Sequence, residues 1–203
     1  MERVTYDAME DGKIIACQVF IEKQFLLPDE CDVLIAYFKQ AAPSILTTGN
    51  GFFDGRVIWY PHVPTTHPAR AIMRDAKTRT RQRIKECYGL GHDVYGDSIQ
   101  LVCWPEGIGM AAHYDNRHPN RHEIHSTPWR EYGAVVYLND EYAGGELFIE
   151  SANPTLFIKP QKGMLVVFGG GDGYFHGVQP AYGVTRYTMP CWFTTDITKA
   201  ESD

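Results

Sequence analysis

Two stretches of the chain repeat their apolar positions at helical spacing, and a later series of short runs is apolar and rich in β-branched and aromatic side chains. In the first stretch, PDECDVLIAYFKQAA from Pro28 onward, Cys31, Leu34, Ile35 and Phe38 share one face. Pro28 suits a first turn, where its missing N–H is no loss, and Asp29 and Glu30 complement the positive end of the helix dipole. The second stretch runs from Pro68 to Tyr88, with Ala69, Ile72, Met73, Ala76, Thr80, Ile84 and Cys87 as its inner stripe and Gly89 as its stop. After Gly96 the texture changes to SIQLVCW, GAVVYL, GELFIE, TLFI, MLVVF and VTRYTMPCWF, punctuated by Gly, Pro, Asn and Asp. Six short strands so spaced predict a β-sandwich or small barrel in preference to βαβ units. The expectation is one domain over 1–203: an N-terminal helical, supporting part (1–96), then a jelly-roll-like β core (97–196).

Composition narrows this picture. With 203 residues, 44% of them hydrophobic, the chain can bury a substantial core. A net charge of −6 favours a soluble protein and exerts no global pull on nucleic acid. No apolar run of signal-peptide length opens the chain, and no segment is long enough to span a bilayer, so no membrane partner is expected. The five cysteines are odd in number and never spaced as CxxC; buried thiols in a reducing cytoplasm are expected, and with them a cytoplasmic location. Residues 70–86 carry seven basic and two acidic side chains, but these surround the helix without forming a stripe. A solvated face explains them better than a nucleic-acid surface.

The densest candidate chemistry is HYDNRHPNRHEIH, residues 113–125, with four of the eight histidines. HEIHS is not the zinc-protease motif, because the second histidine falls at 125 and not at 126, and Pro119 and Pro128 oppose a helix there. GGGDG (169–173) lacks the Lys-Ser/Thr ending of a phosphate loop and reads as a turn. His118, His122 and His125 read as solvated loop residues, with a second metal or a grip on substrate as the sharper alternatives. His113 and Asp115 are different. On a strand, positions i and i+2 project to one face, where an imidazole and a carboxylate converge on a metal. Iron(II) with exchangeable positions favours two His and one carboxylate, so a distant second histidine is required. His176, beyond the MLVVF strand, is the candidate. Arg186 follows inside an apolar strand, where a buried cation needs an anionic partner; a dicarboxylate cosubstrate would supply one.

With these residues in hand, the segments HYDN, YLND followed by GGEL, KPQKGMLVVF and HGVQPAYGVTRYTMPCWF resemble the Fe(II)/2-oxoglutarate-dependent dioxygenases of the prolyl 4-hydroxylase-like family. The last segment is closest to the oxygen-sensing prolyl hydroxylases. The resemblance implies a mainly β fold with flanking helices, built on a double-stranded β-helix (jelly-roll or cupin-like) core with N-terminal helices packed on it. It also implies that His113, Asp115 and His176 ligate iron, and that Arg186 takes the distal carboxylate of 2-oxoglutarate with Tyr137. Val135, Leu147 and Trp104 would line the cosubstrate pocket, while Trp192, Tyr114 and Arg130 are candidate substrate-pocket residues. Trp104 and Met110 stand where relatives often carry tyrosine, and both changes remove a hydroxyl near the site.

The function so implied is hydroxylation of an unactivated C–H bond, that of a prolyl residue in a peptide or protein, with O2 and 2-oxoglutarate as cosubstrates, succinate and CO2 as coproducts, and ascorbate as a further candidate cofactor. A hydroxylase of a free amino acid or other small metabolite is the rival within the class. A non-catalytic metal- or ligand-binding jelly-roll module is the rival outside it. Because Asp115 is present, hydroxylation is favoured over halogenation, in which relatives replace that carboxylate.

Overall fold

The computed structural model describes residues 1–41 and 51–202. Its first elements are strands, which corrects the expectation of N-terminal helices. β1 (Glu2–Glu10) and β2 (Lys13–Glu22) form an antiparallel hairpin in full register from Glu2↔Ile21 to Glu10↔Lys13. Asp11 and Gly12 turn it, both at positive φ (48° and 74°), as the two-residue turn that matches strand twist demands. The helices come next along the chain, within its middle: α1 (Pro28–Ala41) and α2 (Pro68–Tyr88). The final Ala42 of the first helical stretch lies outside the described residues. Gly89 ends α2 in the left-handed conformation at φ 62°, as a stop residue without a Cβ can.

The remaining strands are β3 (Val57–Trp59), β4 (Tyr95–Trp104), β5 (Met110–His113), β6 (Tyr132–Tyr137), β7 (Ala143–Gly144), β8 (Leu147–Ile149), β9 (Leu156–Ile158), β10 (Leu165–Gly169), β11 (His176–Val178), β12 (Ala181–Tyr182) and β13 (Arg186–Thr194). A seven-stranded sheet has the order β1-β2-β10-β6-β13-β4-β3, and a four-stranded sheet the order β5-β11-β8-β9; β12 and β7 form a small ribbon. From β4 onward the chain passes repeatedly between the two larger sheets, and all their pairings are antiparallel.

Strand alternation divides the core into layers. Ala134, Val136, Leu165 and Val167 turn to one side of the large sheet and pack with Leu34, Phe38, Met73, Ala76 and Ile84 of the helices. Val135, Tyr137, Val166 and Phe168, one residue out of phase, turn to the other side and meet Leu147, Ile149 and Ile158 of the small sheet. The central strands are thus covered on both faces, which is why their sequences are continuously apolar. The space between the sheets is where the chemistry-bearing side chains gather.

Candidate active site

His113 ends β5, His176 begins β11, and the two residues face each other in register across that strand pair. Their ring centroids are 4.6 Å apart. Asp115, two residues beyond His113, returns its carboxylate to the same face, with Oδ1 3.9 Å from Nε2 of His113. One potential ligand atom from each of His113, Asp115 and His176 lies within 4.8 Å of the others, and this is the one such group of three or more His, Cys, Asp or Glu among the described residues. Each imidazole is oriented by a backbone carbonyl. Nδ1 of His113 lies 3.0 Å from the Ala111 oxygen, and Nδ1 of His176 lies 2.8 Å from the Tyr174 oxygen. A carbonyl only accepts, so both Nδ1 atoms carry the proton and both Nε2 lone pairs are left for a metal. Burial holds the His176 imidazole below its ordinary pKa, against the opposing pull of Asp115, which favours the neutral form a metal needs.

Asp115 is buried, and its Oδ2 has no hydrogen-bond partner. Gly133, on β6, makes room for it: a Cβ there would sit 2.6 Å from Oδ2 and equally close to the Phe168 ring. The Phe168 ring also covers His176 at 4.6 Å.

These groups line one cavity of about 100 Å³ between the sheets, largely walled by apolar side chains. Arg186, at the start of β13, lines the same cavity, is only 2% exposed, and has no partner at its Nε and Nη1. Its guanidinium lies 5.4 Å from the Tyr137 ring centre and 5.2 Å from that of Trp104. The hydroxyls of Tyr137 and Tyr142 are likewise buried without a partner. Burial raises both phenol pKa values and the Arg186 cation opposes the rise, so both hydroxyls stay protonated and able to donate. Gly145, at φ 73°, lets this corner close: a Cβ would meet the Tyr142 ring at 2.7 Å and Cδ of Arg186 at 3.3 Å.

Residues 99–194 match the sequence model of the 2OG-Fe(II) oxygenase superfamily. The matched segment includes every residue of the site described above. Prolyl 3-hydroxylase 2 of Homo sapiens is 24% identical over 146 residues, an alignment covering 62% of this chain; the chain spans about a fifth (20%) of that relative's length. Among solved structures, a Pseudomonas putida prolyl-4-hydroxylase superimposes with a TM-score of 0.66 at 25% identity, covering 87% of this chain and 91% of that one. A Trichoplax adhaerens prolyl hydroxylase, in complex with a hypoxia inducible factor oxygen degradation domain peptide fragment, gives 0.65 at 21% identity, covering 87% and 83%.

The two cofactors of that superfamily, Fe(II) and 2-oxoglutarate, fit the groups present. Two imidazoles and a carboxylate with a free oxygen are the donor set that suits iron(II) with open positions. A buried cation with unpaired N–H groups and two unpaired phenols asks for an anion with several acceptor oxygens, as a carboxylate has.

Of the residues singled out in the sequence, His113, Asp115, His176, Arg186, Tyr137, Val135, Leu147, Trp104 and Trp192 all line this cavity. Trp104 also donates its indole N–H to Thr188 Oγ1 at 3.0 Å, fixing its ring. Two residues do not join them. Tyr114, just past the end of β5, does not line the cavity and is buried against Glu10, to which its hydroxyl donates at 2.9 Å. Arg130 is neutralised outside the cavity by Asp97, 2.6 Å from its Nε, and its guanidinium covers the Trp192 ring at 4.1 Å. It supports a pocket residue without lining the pocket.

Tyr142 was missed by sequence reasoning. It lies in a loop before GGEL, where no periodicity marks it, and only its packing beside Gly145 and Arg186, behind the residues that line the cavity, reveals it. The loop histidines have structural surroundings: His118 and His125 meet edge to face at 4.9 Å, and His125 accepts from the Thr127 amide while the Thr127 hydroxyl donates to the Asp115 carbonyl. Along α2, Arg79 is paired with Asp75, Arg81 and Lys85 with Asp93, and Arg83 with Glu22 and Glu86, so much of the basic stretch is already neutralised.

Proposed function

We propose that this protein hydroxylates a prolyl residue of a peptide or protein, using the site between its sheets, within a double-stranded β-helix core. One observation carries the reading: a single cavity is lined both by a two-His, one-carboxylate group and by a buried arginine with unpartnered N–H groups beside the unpartnered Tyr137 phenol. Each group leaves unsatisfied what one cofactor would satisfy. When bound, iron(II) and 2-oxoglutarate supply the oxidising chemistry, in which O2 converts 2-oxoglutarate to succinate and CO2 and leaves one oxygen atom in the substrate C–H bond.

The chain's own part is geometric. His113, Asp115 and His176 would hold the metal. Arg186 would pair with the distal carboxylate, with the Tyr137 and Tyr142 hydroxyls donating to it. Trp104, Val135 and Leu147 would shape the pocket and keep water from it, while Trp192, covered by Arg130, lines the same cavity and would contact the substrate. The prolyl substrate is supported by what the relatives' names say of them, and a peptide by the ligand of the Trichoplax adhaerens structure.

The test has two stages. Anaerobic addition of Fe(II) and then 2-oxoglutarate to metal-free protein is expected to develop the visible charge-transfer band of the chelated cosubstrate. Succinate formation is then measured with proline-containing peptides and with free amino acids. Coupling to peptides supports the proposal. Coupling only to amino acids replaces the peptide by a small metabolite, and iron binding with no band replaces the oxygenase by a binding module.

A further inference from the structure

The N-terminal hairpin lies outside the segment that matches the oxygenase superfamily, yet it touches both chain segments that carry the metal-binding residues. The contact runs through one buried carboxylate. Glu10, the last residue of β1, accepts from the Tyr114 hydroxyl with both oxygens at 2.9 Å, from the Arg117 guanidinium at 2.5 Å and from the Gly173 amide at 3.1 Å. Tyr114 stands between His113 and Asp115, and Arg117 two residues after Asp115. Gly173 is three residues before His176. The two segments also meet directly, since the Tyr114 ring packs on that of Phe175 at 4.8 Å and the Arg117 guanidinium lies over Tyr114 at 3.4 Å.

We propose that Glu10 is a positioning residue for the metal site: it pins the 113–117 and 173–176 segments to one another through Tyr114, Arg117 and the Gly173 amide, and so sets the separation of Asp115 and His113 from His176. The inference rests on the iron-site reading of these three residues.

Three features give the carboxylate this role and not that of a surface ion pair. It is only 9% exposed, so its bonds are not exchanged cheaply for water. Its partners come from two segments far apart in the chain. The hairpin holds the second of these independently as well, because Tyr6 donates to the Gly173 carbonyl at 2.9 Å and a Cβ on Gly173 would collide with Cys17 Sγ. Groups beyond the direct ligands tune metal affinity because a metal rewards only ligands already in place. Here that outer support comes from a part of the chain that the family match does not include.

Cobalt(II), a spectroscopic stand-in for iron(II), is titrated into metal-free full-length protein carrying Glu10→Ala, Tyr114→Phe or, as a hairpin control, Lys13→Ala. Both affinity and the visible ligand-field spectrum are read, and thermal unfolding of the metal-free proteins is followed in parallel. Glu10→Ala is expected to bind cobalt about tenfold to a hundredfold more weakly with an altered spectrum. Tyr114→Phe, which removes a single hydroxyl, is expected to weaken binding about tenfold, and Lys13→Ala to match the wild type. If Glu10→Ala does not fold, Tyr114→Phe decides alone. Wild-type affinity and spectrum in the folded variants, whatever happens to their melting temperatures, overturn the positioning role and leave the iron site intact. A wild type that binds no cobalt overturns the iron-site reading itself.

Discussion

Arg186 is 2% exposed, and neither Nε nor Nη1 finds a partner within the protein. Such a charge is costly to bury, and a ligand carboxylate relieves the cost only if it meets the planar fork of a guanidinium. Arg186→Ala is therefore expected to weaken 2-oxoglutarate binding on the order of tenfold to a hundredfold, with Arg186→Lys recovering part of it and Tyr142→Phe losing less. Calorimetric titration of 2-oxoglutarate into the metal-loaded protein checks this, and equal affinities in all four proteins would remove Arg186 from the cosubstrate site. At this scale, residue type and spacing revealed much in advance. His113 and Asp115 are legible because alternate strand positions share a face, and Arg186 because a cation inside an apolar run is anomalous. Tyr114 shows the limit of proximity in sequence: it stands between His113 and Asp115, yet its side chain is buried against Glu10 and not in the cavity. Tyr142 and Glu10 were illegible for the opposite reason, since their partners lie far along the chain.

The elements differ in how much of their signal is local. α2 carries its own boundaries. Nδ1 of His67 accepts from the Ala69 amide at 3.1 Å, satisfying one of the orphan donors of the first turn, and Gly89 ends the helix. His67→Ala is expected to cost about 1 kcal/mol, read as a lower urea midpoint at unchanged slope. Part of that loss comes from the Tyr37 ring of α1, which packs on His67 at 4.5 Å. An unchanged midpoint would show that the cap adds nothing. The six apolar runs after Gly96 all correspond to strands in the structure, and the continuously apolar β6 and β10 are those covered on both faces. β1 is different: most of its side chains are exposed or half-buried, so its composition resembles a polar leader. The one local signal for the hairpin was Asp11-Gly12, which demands a tight turn. β5, β11 and β12 are too short for alternation to mark them, and pairing with neighbours defines them.

For the molecule as a whole, three layers form because the large sheet is apolar on both faces, with helices against one and the small sheet against the other. The chain end is drawn into this packing: the Glu201 amide donates to the Gly96 carbonyl, and burial pushes the Glu201 carboxyl up to about 7, against the opposing effect of Lys77. Between 4.5 and about 7 the folded protein holds this proton more tightly than the unfolded chain, so the contribution of Glu201 to stability is present below 4.5 and is lost as pH rises through about 7. Glu201→Gln should consequently gain in melting temperature relative to the wild type as pH rises across that window; a constant difference would refute the assignment. The amino-acid sequence by itself determined the two helices, the apolar strands, the candidate ligand types and the buried cation, because periodicity, turn chemistry and the anomaly of a charge in an apolar run are properties of neighbouring residues. Only the tertiary structure decided which residues outside those runs serve the site. Glu10, Tyr142, Gly133 and Gly145 matter through what approaches them in space, and closing two sheets on each other brings those partners from distant parts of the chain.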